Sequence, residues 1–319
     1  MTMKMTRLIE TVAVLLTVVS CRTQAPCGPA CGDAERISLE CSMEYGTKGS
    51  YVYEVADFRL FRYSYEGSHV NCDIFDEPCR QSGRYWMTEN AYRKTVNASN
   101  RYVGIGPGGS VGEGNEITVR ESLTRMGTFC ADICVPKDAS DQSDLIFGFS
   151  EPYESPLETF VPDVRFRHIL ANVRVSAYTS SPQPGIHITG AGFTGVYDCC
   201  TLLFENRTET LSYGSRVQSQ PSAGKALDTD LSGCILPPDE GGEFFLIPQT
   251  VPYGGLLYLD YISEDGISGR VCLDISGDLW PAGVVTTYSM HLVSVINEDG
   301  SAGLIIGDFK KHHDYEEVF

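Results

Sequence analysis

The chain has 319 residues, and 42 acidic against 24 basic side chains give it a formal net charge of −18 at pH 7. So acidic a surface suits the phosphate backbone of nucleic acids poorly, and we expect no nucleic-acid partner. The length fits two domains better than one, and beyond the N-terminus no run of 18 apolar residues predicts a membrane-spanning helix.

The first 20 residues form a predicted signal peptide. Lys4 and Arg7 precede the apolar run Thr11–Val19, and the small residue Ser20 stands directly before Cys21. The apolar run is too short for a membrane-spanning helix, which needs about 20 apolar residues. The segment resembles the lipobox of bacterial lipoproteins, which implies that Cys21 is acylated and becomes the mature N-terminus. A plain secretory signal followed by an ordinary cysteine is the alternative.

The chain contains 12 cysteines, so the lipid on Cys21 would leave an odd number, 11, in a compartment where disulfides persist. Connectivity cannot be deduced from the sequence. The adjacent Cys199 and Cys200 are expected to have different partners, or one of them to be free. Three short spacings could close local loops: Cys27 with Cys31, Cys72 with Cys79, and Cys130 with Cys134. The first pair lies in a Gly/Pro-rich segment with one residue too many for a redox motif, so we favour a structural role there.

The rest of the chain predicts β-structure almost throughout. Residues 21–36 are rich in Pro, Gly and small polar residues and predict a tether or propeptide. The one helical candidate, Asp198–Asn206, has a β-branched and aromatic content that argues against a helix. Runs with strand patterning, separated by turn residues, are Ile37–Met43, Phe58–Tyr65, Ile117–Val119, Val164–Ile169, Ala171–Tyr178, Gly185–Ile188, Gly192–Tyr197, Glu243–Ile247, Leu256–Ile262, Gly269–Ile275 and Val284–Val295.

This pattern predicts an all-β protein built from antiparallel β-sandwiches. The Pro- and acid-rich stretch 151–163 suggests a boundary, which gives a signal peptide at 1–20, a tether at 21–36, and domains at 37–163 and 164–319.

No pattern in the sequence predicts a catalytic or cofactor site. Gly104–Gly109 matches a nucleotide-binding glycine pattern, but Pro107 lies inside it and no helix follows, so we interpret it as a loop. The six histidines lack the spacing of a metal site, and His312 with His313 has no supporting framework. We therefore expect no enzymatic activity, no cofactor and no metal. The abundant aromatic residues are assigned to core packing, with an exposed sugar-binding platform as the alternative.

Six phrases, taken in order, resemble the fimbrillin-like family, which comprises the shaft, accessory and tip subunits of the type V pili of Bacteroidales. The phrase at Val164–Val175 is the most specific, and the set spans about residues 80 to 295. Departures are the many cysteines and Met87, where the family more often has proline. The phrases are Ser82–Trp86, Tyr102–Pro107, Asp144–Gly148, Val164–Val175, Leu246–Gln249, and Asp278–Gly283 with Tyr288–Leu292.

The resemblance implies two transthyretin-like β-sandwich domains and assembly by strand exchange. A lipid-anchored precursor reaches the outer membrane, a protease removes an N-terminal segment after an arginine, and the vacated groove accepts a neighbour's strand. Arg36, just before the strand-like Ile37–Met43, is the candidate processing site. Asp308–Phe319 is a candidate donor strand, but it is polar, so a tip or anchor role is at least as plausible as a shaft role. His168 shares a strand face with Phe166 and is expected to be structural rather than catalytic.

The implied function is that of a structural or adhesive subunit of a cell-surface pilus. Its partners would be other pilus subunits, outer-membrane lipid through Cys21, and a host protein or glycan. A non-polymerising surface lipoprotein that binds glycan or host protein is the alternative, and an extracytoplasmic hydrolase is a more distant one.

Overall fold

The fold is that of a computed structural model, which describes residues 34–43, 55, 57–93, 99–107, 114–154, 161–180, 185–220, 222–231, 235–236, 242–296 and 302–314. Within that part of the chain almost every element is a β-strand, which confirms the all-β prediction. No helix there is long and apolar enough to cross a membrane. Cys21 and the tether up to residue 33 lie outside the described residues.

The elements are β1 Glu35–Met43, β2 Phe58–Glu66, β3 His69–Ser82, β4 Tyr85–Tyr92, β5 Ser99–Gly106, β6 Glu116–Val119, α1 Glu121–Arg125, β7 Thr128–Cys134, a 3-10 turn Ala139–Asp141, β8 Ile146–Ser150, β9 Tyr153–Glu154, β10 Asp163–His168, β11 Ala171–Thr179, β12 Ile186–Thr194, β13 Cys199–Glu205, β14 Thr210–Val217, β15 Ser222–Asp230, β16 Ile235–Leu236, β17 Glu243–Leu246, β18 Gln249–Thr250, β19 Leu256–Ser263, β20 Ser268–Asp274, β21 Leu279–Trp280, β22 Val285–Ile296 and β23 Ala302–Asp314.

Seven strands of the first sheet close into a ring. They follow the order β2-β3-β4-β1-β10-β8-β5, and β5 pairs back to β2, while β9 adds to β5. The ring encloses its own core, which includes Phe58, Trp86 and Phe166. Gly104 makes room for this core, because a Cβ there would lie 2.6 Å from the Phe166 ring. Packing therefore accounts for the first glycine of the nucleotide-like pattern. The interpretation of this pattern as a loop is wrong for residues 104–106, which lie in strand β5, because glycine lets that strand pass close to Phe166.

Two further sheets pack face to face in the second half of the chain. One has the order β16-β11-β22-β23, with β17 also paired to β11, and the other has the order β15-β12-β19-β20. Phe193 of β12 meets Phe244 of β17 with ring centroids 5.0 Å apart, and Trp280 at 5.2 Å. The contact of Phe193 with Phe244 joins the two layers of the sandwich, whereas Trp280 belongs to β21, which pairs with β18 in a separate two-stranded sheet.

A fourth sheet, ordered β14-β13-β7-β6, joins the two sequence halves. Strands β6 and β7 precede residue 163, whereas β13 and β14 follow it. A disulfide links Cys134 of β7 to Cys199 of β13, which are register partners. Strand β10, at the start of the predicted second domain, pairs within the ring of the first. The boundary after residue 163 stays a prediction, and strand pairing crosses it at both of these places.

Most predicted strands are present, with two informative differences. Gly185–Ile188 and Gly192–Tyr197 are predicted as separate strands, which is wrong, because residues 189–191 between them belong to the same strand. The chain runs through as β12, with a register shift between Ile188 and Gly190, because the glycines mark a bulge rather than a turn. The region of the helical candidate forms strand β13, in agreement with its composition.

The second difference concerns strand direction. All pairings between named strands are antiparallel in the described chain except two, β1 with β10 and β11 with β22, which are parallel.

Among the cysteines, Cys199 is disulfide-bonded and the adjacent Cys200 is a buried free thiol, which confirms the expectation that the two do not bond to each other. Cys72, Cys79 and Cys130 are also free, so the local loops suggested by their spacing do not form.

Candidate functional site

The candidate site is the position of β1, the strand that closes the ring. The first half of β1 pairs antiparallel with β4, where Leu39 lies opposite Trp86. Its second half pairs parallel with β10, where Cys41 lies beside Val164 and Met43 beside Phe166. Since β1 is the strand that lies between β4 and β10, its departure would open the ring there. We call the space that β1 fills between β4 and β10 the slot.

Alternate residues of β1 face the ring core. Leu39 is fully buried, and Ile37, Cys41 and Met43 are partly buried and pack against the core cluster. The intervening side chains point outward, and Glu40 pairs with the exposed Arg84 at 3.6 Å. This is the period of two that was predicted for Ile37–Met43, and it shows why a short strand suffices to fill the slot.

Both backbone and side-chain contacts hold β1 in the slot. The Ile37 amide donates to Thr88 Oγ1 at 3.0 Å, and the Glu40 amide donates to the Pro162 carbonyl at 2.9 Å. Full burial of a leucine such as Leu39 contributes about 1.5–3 kcal/mol. Burial also raises the pKa of the Cys41 thiol, with a smaller contribution from neighbouring Cys79, so Cys41 behaves as an apolar side chain here.

Arg36 lies at the start of β1. It is exposed and is the register partner of Ala91. The four core-facing residues, from Ile37 to Met43, all follow it. A cut after Arg36 would therefore leave every one of them attached to the rest of the chain. The other sequence-predicted site residue, Cys21, is outside the described residues.

The C-terminal strand β23 is integrated into the second sandwich. Its described residues run antiparallel to β22 over the length of the hairpin. Lys311 Nζ lies 2.5 Å from Asp278 Oδ1, and the Tyr288 hydroxyl donates to Asp278 Oδ2 at 2.6 Å. The buried Trp280 indole donates to that hydroxyl at 3.0 Å. The candidate donor Asp308–Phe319 is thus part of the fold as far as residue 314, and residues 315–319 are outside the described part.

The histidine of the most specific phrase is buried and structural in its contacts. His168 Nδ1 lies 2.5 Å from Asp144 Oδ2, and their side chains are 1% and 2% exposed. A side chain this deeply buried cannot reach a substrate from solvent. No group of three metal-ligating side chains occurs among the described residues.

Sequence reasoning missed the residues that join β23 to the core and those that join the sheets. Lys311 carries no pattern that would single it out, and its partner Asp278 is 33 residues away. Arg101 is 2% exposed, and its guanidinium donates to the Asn206 carbonyl and to Glu209, fixing the β13–β14 turn to β5. The only sequence signal was that Asp278 lies in one of the family-like phrases.

No protein-family model matches the chain, and no curated protein sequence matches it. Among solved structures, a candidate cell adhesion protein from Bacteroides ovatus matches over 90% of this chain and 100% of its own, with a TM-score of 0.50 and 10% identity. One from Bacteroides uniformis covers 88% and 98%, with a TM-score of 0.48 and 15% identity. The fimbrial anchor protein of Porphyromonas gingivalis covers 89% and 100%, with a TM-score of 0.40 and 11% identity. The Bacteroides ovatus match shows a shared fold.

Proposed function

We propose that this chain is a structural or adhesive subunit of a cell-surface pilus and that the β1 slot is where it exchanges strands with a neighbouring subunit. The observation that carries the proposal is the position of β1, which closes the ring through side chains of one short alternating strand. An incoming strand with the same alternation would restore both the hydrogen bonds and the apolar contacts that β1 makes. The fold shared with a candidate cell adhesion protein supports the same function.

Export as a lipoprotein is part of the proposal. Acylation of Cys21 would place the precursor at the outer membrane, and residues 22–36 would hold the folded part away from it. The partners are then outer-membrane lipid, other pilus subunits, and a host protein or glycan. The chain is proposed to have no enzymatic role.

Processing at Arg36 would detach the lipid anchor without emptying the slot. A cut after Arg36 would release the lipid-bearing segment but leave Ile37–Met43 in the slot. The slot would then open only when an incoming strand displaces β1. Trimming reduces β1 to seven residues with a free N-terminus, which makes displacement easier than for a strand that is anchored at both ends.

The C-terminal strand favours a terminal position in the pilus. Donation of β23 would break its hairpin with β22 and the contact between Lys311 and Asp278. A subunit that accepts a strand but keeps its own C-terminal strand would lie at the tip or at the anchor. This fits the polar character of Asp308–Phe319.

One observation favours the second candidate function, a non-polymerising surface lipoprotein that binds glycan or host protein. The slot is filled by the chain's own β1, so the described fold is complete without a neighbour. The two functions differ in whether the chain enters filaments.

The test is to shear surface material from cells that express the full chain and to image it with an antibody against the chain. The proposal expects the antibody to label filaments along their length or at their ends. Label that stays with the membrane fraction, with none on filaments, would support the second function and contradict the first.

A further inference from the structure

The core side of the slot accepts only apolar side chains. The core-facing positions of β1 open onto a buried cluster that includes Val55, Phe58 and Phe166, and in the described part of the chain no charged side chain belongs to this cluster. A charged side chain inserted at one of these positions would lose its hydration and gain no partner, which disfavours it strongly. An incoming strand therefore needs apolar side chains at alternate positions.

The rim of the slot carries one charge of each sign. Arg84 lies 3.6 Å from Glu40 of β1, and Asp163 accepts from the Ser42 hydroxyl at 3.1 Å. All four side chains are exposed, so these contacts add little binding free energy. Their arrangement nevertheless favours one direction and one register for the strand that fills the slot.

The chain's own C-terminal strand does not meet the requirement of the core. Among residues 302 to 319, every set of four alternate positions but one contains an aspartate, a glutamate, a lysine or a histidine. The exception has two glycines, which would leave the places of two core-facing side chains of β1 empty. That set is Gly303, Ile305, Gly307 and Phe309.

A second copy of the chain has one terminal strand that would fit, its own β1. That strand already fills the slot of its own chain, so its transfer to another copy exchanges identical contacts and gains none. Association of the two copies also costs translational and rotational freedom. A second copy therefore offers neither of its terminal strands as a favourable donor.

We propose that the slot accepts a strand from a different chain, with apolar side chains at four alternate positions and an acidic residue opposite Arg84. The second apolar side chain is the size of leucine, because it takes the place of the fully buried Leu39. This inference rests on the proposed strand exchange and restricts it to a contact between unlike subunits. It follows from the mismatch between β23 and the ring core, since β23 would bring a titratable group or a gap into that core.

The test measures the binding of fluorescent peptides to the full chain and to its Leu39→Ala variant, in which β1 should yield more readily. The first peptide has the sequence of residues 35–43 of β1, and the second has that of residues 302–310 of β23. The third is the second with Asp308→Leu and Lys310→Leu, which gives it four alternate apolar side chains. Only binding that an excess of unlabelled β1 peptide displaces is counted as binding in the slot.

We expect the β1 peptide and the altered β23 peptide to bind in the slot, and the unaltered β23 peptide to bind about tenfold more weakly or not at all. If the β1 peptide binds but the two β23 peptides do not differ, the inference is overturned and strand exchange itself stands. If the β1 peptide does not bind, strand exchange at the slot fails and the inference fails with it. Should Leu39→Ala prevent folding, the order of the three peptides on the unaltered chain decides in the same way.

Discussion

His168 Nδ1 and Asp144 Oδ2 lie 2.5 Å apart in the interior of the protein. The two residues come from separate phrases of the sequence that resemble one family, and in the fold they tie the end of β10 to the segment before β8. β10 is also the parallel partner of β1. The contact thus supports one wall of the slot.

Loss of this contact should destabilise the fold. Asp144→Ala removes the hydrogen bond to a buried His168 and is expected to lower the free energy of unfolding by about 1–3 kcal/mol. Urea unfolding at pH 7 measures the change. Asp228→Ala is the control, because the Asp228 side chain is 97% exposed and its loss should change stability by at most about 0.5 kcal/mol. Equal stabilities of the two variants would contradict a structural role for the contact.

Leu39 should anchor β1 in the slot. Leu39→Ala is expected to cost about 2–5 kcal/mol, because it removes a fully buried side chain from the ring core. It should also speed cleavage after Arg36 by trypsin, since a loosened β1 exposes that bond more often. Glu40→Ala, on the outward face of the same strand, removes only an exposed ion pair and should do neither. A Leu39→Ala chain cleaved at the rate of Glu40→Ala would contradict the anchoring role.

The disulfide should stabilise the junction between the two sequence halves. Replacing Cys134 and Cys199 by serine is expected to lower the free energy of unfolding by about 2–4 kcal/mol, the usual range for closing a loop with a disulfide. Chemical denaturation under non-reducing conditions measures it. Cys272→Ser, which removes an exposed free thiol, is the control and should leave stability unchanged. A double variant as stable as Cys272→Ser would show that the sheet β14-β13-β7-β6 does not depend on the bond.

The free thiols should differ sharply in reactivity. Burial raises the pKa of Cys72, of Cys79 and of Cys200 to about 12 each. Since the thiolate is the reactive form, these thiols should resist iodoacetamide at pH 8, whereas the exposed Cys272 should react. Peptide mapping after labelling of the native and of the denatured chain shows which thiols the fold protects and which react in the native protein. Native labelling of Cys72 or Cys79 at the rate of Cys272 would contradict the burial of the ring and its neighbouring core.

The sequence predicted what depends on local pattern. The alternation in Ile37–Met43 identified both the strand and its core-facing side chains, because a period of two determines which side chains share a face. The same reasoning placed Phe166 and His168 on one face of β10. The all-β class followed from strand patterning and turn residues alone.

What the sequence could not predict depends on which strands become neighbours. The parallel pairing of Cys41 with Val164 joins residues more than a hundred positions apart, and no local pattern encodes it. For the same reason the junction of β7 with β13 was not foreseen. Gly190 lies in the gap between the predicted strands Gly185–Ile188 and Gly192–Tyr197 but forms a bulge within β12, because a glycine serves a bulge as readily as a turn. The contact of Lys311 with Asp278 required the three-dimensional fold.

The most direct test of the strand-exchange proposal is to lock β1 in its slot. Cys41 and Val164 are register neighbours on adjacent strands, and strands lie about 4.8 Å apart, so Val164→Cys can form a disulfide with Cys41. The control is the same substitution together with Cys41→Ser, which cannot form the bond. The proposal predicts that the oxidised Val164→Cys chain is absent from sheared surface filaments, that the control enters them, and that a reductant restores entry of the locked chain. Entry of the oxidised, locked chain at the level of the control would contradict strand exchange at β1.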